Sequence, residues 1–202
     1  MYTETLLDIA MRHSEAIILK AQKGDNQAFN KLVALWYKRI YNLALKYFSG
    51  HDMAMEATQR TFISVHKGLP KLRDTERFRS WIYRIAVNVC HEEERKLKRQ
   101  AISIDGVPEK GKVTIQLATY GPEKSLQQQE LSSLLLEALK EINQEQRMVV
   151  IMKEYEGMKF REIAEVLDIS ENTVKSRMYY GLSALRKILE TRNITKEVYY
   201  EL

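Results

Sequence analysis

The chain has few of the residues that form disulfides in small secreted proteins or that bind metals. It has one cysteine, Cys90, so no internal disulfide can form, and its four histidines show no spacing typical of a metal site. We therefore expect no bound metal and no cofactor. Proline and glycine are also scarce, with three and eight residues in 202, which favours long uninterrupted helices.

Long hydrophobic runs are missing as well. No stretch approaches the roughly 18 apolar residues that span a bilayer. The N-terminus, with Glu4, Asp8 and Glu15, lacks the basic and then apolar pattern of a signal peptide. These features predict a cytoplasmic protein without membrane insertion.

Positive charge is unevenly distributed along the chain. The formal net charge is +5, and residues 1–100 hold 18 Lys and Arg against 11 Asp and Glu, while the remainder holds 14 against 16. Such a surplus favours a polyanionic partner, because cations bind phosphates and release counterions. A basic surface that is only solvated would give the same numbers of charged residues. Charge alone therefore does not distinguish a nucleic-acid-binding protein from one with a solvated basic surface.

Three segments of the first half carry apolar residues at the spacing of one helical face. They cover residues 28–47, 52–67 and 78–99, and the last of them ends in a run of charged side chains. Asp52 is expected to cap the second helix. We expect the three helices to share one core.

Neither Cys90 nor the glutamates of the third segment favour a metal or redox site. Cys90 adjoins the apolar stripe and is expected to be a buried small side chain. Glu92, Glu93 and Glu94 are consecutive, so a helix points them in different directions and forms no fixed cluster. We interpret them as a solvated helix end.

The apolar period stops between residues 101 and 124, where glycine and proline are frequent, and then resumes. We interpret that segment as a linker. The sequence predicts an all-α protein, with two small helical domains joined by a flexible linker and the second ending in a helix-turn-helix. The first domain is predicted to cover residues 1–100, the linker 101–124 and the second domain 125–190. A C-terminal tail of 191–202 follows, to which no function is assigned.

Residues 160–179 have the pattern of a helix, a turn and a second helix. Ala164 is small enough for the helices to cross closely, Asp168 and Ile169 form the turn, and Ser170 caps the second helix. An ordinary helical hairpin with solvated charges is the alternative. The capped basic helix favours docking in a DNA major groove, with these candidate contacts: Arg161, Asn172, Thr173, Lys175, Ser176, Arg177, Tyr179 and Arg186.

Basic and aromatic residues interleave on the third segment and on the connection before it. Aromatic faces stack on unpaired bases while arginines hold phosphates, which is typical of single-stranded nucleic-acid binding. Trp81 also lies on the apolar stripe, so core packing is the alternative for it, whereas Tyr83, Arg84 and Asn88 are expected to be exposed. The candidates for this second site are Arg73, Arg77, Arg79, Trp81, Tyr83, Arg84 and Asn88.

Taken in order, these motifs resemble the extracytoplasmic-function sigma factors, the compact two-domain class of bacterial RNA polymerase specificity subunit. The resemblance runs from Ala21 to Leu189. The motifs that carry it are Lys23-Gly24-Asp25 with Ala28-Phe29, Thr58-Gln59 with Thr61-Phe62, Trp81-Ile82-Tyr83-Arg84-Ile85-Ala86 with Asn88, Glu162-Ile163-Ala164, and Thr173-Val174-Lys175-Ser176-Arg177.

The resemblance implies three contacts. The helix from Glu56 to Leu69 would dock on RNA polymerase core, and the candidates for that contact are Asp52, Glu56, Gln59 and Phe62, with core packing as the alternative for Phe62. Arg60 departs from the family, which commonly has an acidic residue there. The first domain would capture the non-template strand of the promoter minus-ten element, and the second would bind the minus-thirty-five duplex.

The function expected from this resemblance is promoter-specific initiation and assistance in promoter melting, without enzymatic activity. An anti-sigma factor is the further partner implied, and the protein is expected with RNA polymerase at the bacterial nucleoid. Two alternatives stay open at this point. One is a stand-alone helix-turn-helix regulator, which binds duplex DNA without polymerase, and the other is an enzyme acting on nucleic acid.

Overall fold

The computed structural model describes residues 14–103 and 126–192, which form helices and turns with no strand among them. This confirms the all-α prediction. The helices of the first half are α1 (Ser14–Gln22), α2 (Asn26–Phe48), α3 (His51–Gly68) and α4 (Phe78–Ser103), with 3-10 turns at Leu69–Lys71 and Thr75–Arg77. Those of the second half are α5 (Leu126–Glu141), α6 (Gln144–Val150), α7 (Phe160–Leu167) and α8 (Glu171–Thr191), and a π-helical turn, Ile151–Tyr155, follows α6.

Most of the predicted linker and of the predicted tail lies outside the described residues. α4 continues to Ser103, past residue 101 where the linker was expected to begin. Within residues 14–103 and 126–192, no helix is both long and apolar enough to cross a membrane.

A local side chain explains where α2 begins, but not where α3 begins. The Asp25 carboxylate caps α2 by accepting hydrogen bonds from the backbone N–H groups of Gln27 and Ala28 at 2.9 and 3.0 Å. The prediction that Asp52 caps α3 is wrong, because Gly50 occupies the N-cap and makes no side-chain bond. Asp52 lies in the first turn of α3, where a negative charge still interacts favourably with the helix dipole.

Helix α1 precedes the first predicted helix and was not expected. It covers nine residues, and Ile18 and Ala21 are its buried apolar side chains, so its periodic signal is weak. Its last residue, Gln22, ties it to the connection before α4. The Gln22 amide donates to the carbonyl oxygens of Leu69 at 3.1 Å and Leu72 at 2.6 Å.

A glycine lets α8 approach α6 closely in the second half. Gly181 is buried, and a Cβ atom there would lie 3.1 Å from Val150 Cγ2 and 3.2 Å from Gln146 Cβ. The sequence predicts a close crossing of the two helix-turn-helix helices at Ala164, which is partly buried and packs against the core. The close approach to α6 at Gly181 was missed.

The second half packs directly against the first. The buried Ser49 hydroxyl donates to the Leu136 carbonyl oxygen of α5 at 3.0 Å. Arg147 of α6 is 6% exposed, and its guanidinium donates to the carbonyl oxygens of Tyr47 in α2 at 3.0 Å and Lys140 at 3.2 Å. The guanidinium also lies 4.7 Å from the centroid of the Tyr47 ring. One buried cation therefore contacts backbone from both halves.

Two of the three glutamates of α4 are not part of a solvated helix end, contrary to the prediction, whereas the Glu92 side chain is 45% exposed. The side chains of Glu93 and Glu94 are 11% and 13% exposed. Arg60 pairs with Glu93 and, at 3.2 Å, with Glu92, while the Tyr47 hydroxyl donates to Glu94. Burial, and then this bond to Glu94, raises the pKa of Tyr47 well above its ordinary value. Partners far along the chain, Arg60 and Tyr47, contribute to the burial of Glu93 and Glu94.

Candidate nucleic-acid interface

The helix-turn-helix forms as the sequence predicts. Asp168 follows α7 in the left-handed conformation with φ of 56°, and its backbone N–H donates to the Ala164 carbonyl oxygen. Ser170 is the N-cap of α8, and its hydroxyl oxygen accepts from the Thr173 backbone N–H at 3.1 Å. Asp168 thus reverses the chain, and Ser170 fixes the start of the second helix.

The polar face of α8 is open to solvent. Lys175 pairs with Glu171 at 2.9 Å and Arg186 with Glu190 at 2.7 Å, both across one turn of the same exposed helix. Such surface pairs are weak, so phosphates can compete for the two cations. Tyr179 is 70% exposed. The other predicted contacts that are exposed are Arg161, Asn172 and Ser176.

Two of the predicted DNA contacts on α8 already bond to other side chains of the protein. The Thr173 hydroxyl lies 2.8 Å from the Ser170 hydroxyl at the helix cap. Arg177 forms an ion pair with Glu145 of α6, and its side chain is 25% exposed. A DNA contact by Arg177 requires it to leave this carboxylate.

The connection before α4 presents two exposed arginines. Arg73 and Arg77 are solvated, and Arg77 pairs with Asp74 at 3.2 Å. Trp81 follows on α4 with partial exposure and packs against Phe78 at 5.8 Å between ring centroids. A Cβ atom at Gly68 would lie 2.9 Å from Trp81 Cζ2, so the absent side chain at Gly68 makes room for the indole. The Trp81 ring therefore has a structural contact and remains partly exposed.

Tyr83 is not exposed, contrary to the prediction. Its relative exposure is 0%, and its hydroxyl donates to Glu156 at 2.7 Å. Burial, and then the Glu156 charge, raises the Tyr83 pKa well above its ordinary value. Arg84 and Asn88 are exposed as expected, although Arg84 also donates to backbone of the second half.

A separate apolar groove of about 590 Å³ runs between α2 and α3. Its exposed rim was not predicted from the sequence; there the side chains of Tyr37, Met55 and Ile63 are 42%, 46% and 46% exposed. Large apolar side chains outside the buried helix stripe were the available signal. The groove is lined by Phe29, Val33, Tyr37, Met55, Gln59, Phe62, Ile63, His66 and Lys67.

The predicted polymerase contacts lie in or beside this groove. Gln59 and Phe62 line it, with Phe62 only 8% exposed, and both Asp52 and Glu56 are solvated on the same helix. Arg60, the departure from the family pattern, pairs with glutamates of α4. The positive charge at position 60 is thus neutralised within the protein.

Two family models match this chain: Sigma-70 region 2 at residues 32–100 and Sigma-70 region 4 at residues 132–185. The RNA polymerase sigma-H factor of Pseudomonas aeruginosa is 23% identical over 193 residues, covering 90% of this chain and 96% of that protein. The ECF RNA polymerase sigma-E factor of Escherichia coli is 27% identical over 177 residues, covering 85% of this chain and 91% of that protein. The chain belongs to the extracytoplasmic-function sigma factors.

A solved structure shares the fold of this sigma factor. It contains the sigma factor RpoE in complex with the anti-sigma factor NepR from Bartonella quintana, with a TM-score of 0.64 and 21% identity over 80% of this chain and 96% of that one. A sigma factor binds RNA polymerase core and promoter DNA and is not an enzyme. Because the region 2 match lies in the first half, a stand-alone helix-turn-helix regulator is not favoured.

Proposed function

We propose that this sigma factor uses three separate surfaces during initiation. Residues 1–100 form the domain that binds core polymerase and captures the opened minus-ten element, and residues 125–190 form the domain that binds the minus-thirty-five duplex. The observation that carries the proposal is the exposed polar face of a capped α8 on a helix-turn-helix.

The polymerase contact is assigned to the groove between α2 and α3. Exposed apolar side chains in a groove of this size mark a protein-binding surface, and here they lie beside the carboxylates of Asp52 and Glu56. A groove with an apolar centre and carboxylates beside it is complementary to a helical surface of the polymerase that carries apolar and basic side chains. Gln59 and Phe62 contribute to the centre of this contact.

The minus-ten contact is assigned to the connection and the first half of α4. Arg73 and Arg77 are solvated where they can bind phosphates, and the partly exposed Trp81 ring can stack on an unpaired base. The remaining contacts are Arg79, Arg84 and Asn88, whereas Tyr83 is buried and is left out of this surface. Energy from strand capture is available only after melting, so capture shifts the equilibrium toward the open promoter.

The minus-thirty-five contact is assigned to α8 in the major groove. Asn172, Lys175, Ser176 and Tyr179 project from its exposed face toward base edges. Backbone phosphates are contacted by the remaining side chains of this set: Arg161, Thr173, Arg177 and Arg186. One good bidentate base contact supplies about 1 to 3 kcal/mol of discrimination, so this small domain needs the other two surfaces to act at a promoter.

The protein works in the bacterial cytoplasm, at the nucleoid with RNA polymerase, and its activity is limited by an anti-sigma factor. Support for the last partner comes from the Bartonella sigma factor of the same fold, which was solved with an anti-sigma factor. An apolar groove on a free sigma factor is also a surface that an inhibitor can cover.

In vitro transcription with purified core polymerase and a genomic promoter library tests the function. New transcript starts that share an asymmetric two-part upstream motif are expected only when the sigma factor is added. Tight duplex binding by the protein alone, without polymerase-dependent starts, contradicts the proposal.

Single substitutions then test each surface separately. M55D should weaken binding to core polymerase, measured in a native gel. N88A should slow promoter opening, measured by permanganate reactivity. S176A should change the preferred minus-thirty-five sequence. K187A is the matched control because Lys187 is exposed on α8 outside the proposed contact set. Equal behaviour of a site variant and K187A would remove that surface from the proposal.

A further inference from the structure

The connection between α3 and α4, which we define as residues 69–77, is held by a helix that precedes the family match. The Sigma-70 region 2 match begins at residue 32, whereas α1 covers Ser14–Gln22. α1 contacts both 3-10 turns of the connection. A helix outside the matched residues therefore borders the surface to which minus-ten capture is assigned.

Gln22, the last residue of α1, bonds to two carbonyl oxygens of the connection. Its Nε2 atom donates to Leu69 at 3.1 Å and to Leu72 at 2.6 Å. The Leu72 backbone N–H donates to the same Leu69 oxygen at 3.1 Å, which closes the first 3-10 turn. An amide nitrogen carries two N–H donors, so it can serve both acceptors. One side chain therefore fixes both ends of this turn.

A second, weaker contact joins the other end of α1 to the second 3-10 turn. The Thr75 hydroxyl, at the start of that turn, donates to the Glu15 carboxylate at 3.2 Å. Between the two turns, Leu72 and Asp74 have extended backbone with ψ of 110° and 104°. The extended stretch that carries Arg73 is thus bordered by an α1 contact on each side.

The turn held by Gln22 also lies beside the aromatic ring proposed to stack on a base. Gly68 directly precedes the turn, and a Cβ atom there would lie 2.9 Å from Trp81 Cζ2. Leu69 is 1% exposed, so the start of the turn is anchored in the core. A displacement of the turn would move the backbone against which the indole packs. Gln22 can therefore act on Trp81 through the backbone of the connection.

We propose that Gln22 is a positioning residue for minus-ten recognition, which holds the connection in the conformation that receives an unpaired base. The inference rests on the proposed minus-ten role of the connection and Trp81. Ordering a flexible loop on binding costs affinity, and a loop already held in its bound conformation avoids that cost. Without the two hydrogen bonds of Gln22, the binding-competent conformation becomes one of several, and the apparent affinity falls with its population.

Two variants of Gln22 remove its donors in different ways. Q22M has similar volume and no N–H group. Q22E keeps the shape of the side chain but places oxygen atoms opposite the carbonyl oxygens of Leu69 and Leu72. The matched controls are Q27M and Q27E, because Gln27 is exposed in the first turn of α2 and bonds to Asp25 through its backbone N–H. If Q22M lowers the helicity of the chain, the comparison of Q22E with Q27E replaces it.

Holoenzyme, assembled from core polymerase and each full-length variant, is titrated with a labelled fork DNA from a promoter mapped by transcription. The fork has a duplex minus-thirty-five element and a single-stranded non-template minus-ten element. A second series of forks carries an abasic nucleotide at each minus-ten position in turn. Wild type should bind about tenfold less tightly when the captured base is absent, since that base no longer stacks on an aromatic ring.

Q22M should bind the intact fork about fivefold less tightly than Q27M and bind the fork without the captured base equally well. A general loss of stability would weaken both forks alike, so this difference isolates positioning. Hydrogen exchange of the free chain locates the change. Backbone amides of residues 69–77 should exchange faster in Q22M than in Q27M, while those of α3 keep their rate.

Three outcomes overturn the inference. They are equal affinity of Q22M and Q27M for the intact fork, an equal loss on intact and abasic forks, and faster exchange throughout the first half. The wild-type abasic series tests the proposed minus-ten role separately. If no abasic position weakens wild-type binding, no base is captured, and the proposed role fails together with the inference. If wild type and Q22M discriminate equally against the abasic fork, the inference fails alone.

Discussion

Replacement of Arg147 by methionine should destabilise the protein and loosen the contact between its halves. The guanidinium is almost fully buried, and it donates to carbonyl oxygens of Tyr47, Lys140 and Ile142 at 3.0, 3.2 and 3.4 Å. It also lies 3.5 Å from Glu94. Methionine fills similar volume but donates no hydrogen bond, so these acceptors lose a buried donor.

The cost follows from the kind of group removed. Breaking a buried ion pair by removing one partner costs about 3 to 5 kcal/mol, since the other charge stays buried. Glu94 keeps its bonds to Tyr47 and Lys98, which places the R147M variant toward the lower end of that range. For a chain of this length, about 3 to 5 kcal/mol corresponds to a midpoint lower by roughly 6 to 20 °C.

Thermal unfolding followed by circular dichroism measures this shift. The matched control is R186M, because the Arg186 side chain is 78% exposed and pairs only across one helical turn. R186M is expected to leave the midpoint unchanged. If R147M unfolds at the temperature of R186M, the buried contacts of Arg147 contribute no net stability and the reasoning is refuted.

Three further predictions concern single positions. S170A should lower the free energy of unfolding by about 1 kcal/mol through loss of the α8 cap, measured by urea denaturation; an unchanged value contradicts the cap's contribution. G181V should cost about 1 to 3 kcal/mol in the same assay, because a Cβ atom there already meets Val150 and Gln146 tightly, and a more stable variant would show that α6 can shift. Burial lowers the pKa of His91 from 6.5, so the unfolded state binds the proton first and stability should fall as pH drops through about 6.5 toward the folded-state pKa. H91Q should lose less stability than wild type between about pH 7 and pH 5, and equal losses would exclude His91 as the cause.

Local sequence signals predicted the elements that depend on neighbouring residues. Ser170 caps α8 and Asp168 takes the left-handed turn position, as expected from side chains that bond to backbone a few residues away. Cys90 is buried on the apolar stripe of α4, and burial raises its pKa to about 12, consistent with an unreactive thiol. These outcomes follow from periodicity and capping alone.

Predictions failed where the partner is distant along the chain. Glu94 looks like a solvated charge in the sequence, yet it meets Arg147 of α6. Tyr83 was expected to be exposed, yet its side chain is buried and its hydroxyl donates a hydrogen bond to Glu156. Helical periodicity places a residue on a face of its own helix but does not identify the helix that covers that face.

The sequence by itself determined the helical segments, the capped helix-turn-helix and the order of motifs that resembles a sigma factor, because each depends on short-range spacing. The tertiary structure alone decided that Arg147 is buried between the halves and that Arg79 and Arg84 face the carboxylates and carbonyl oxygens of α7. Contacts across the halves depend on how two helical surfaces dock, and the groups that meet there lie more than 50 residues apart along the chain.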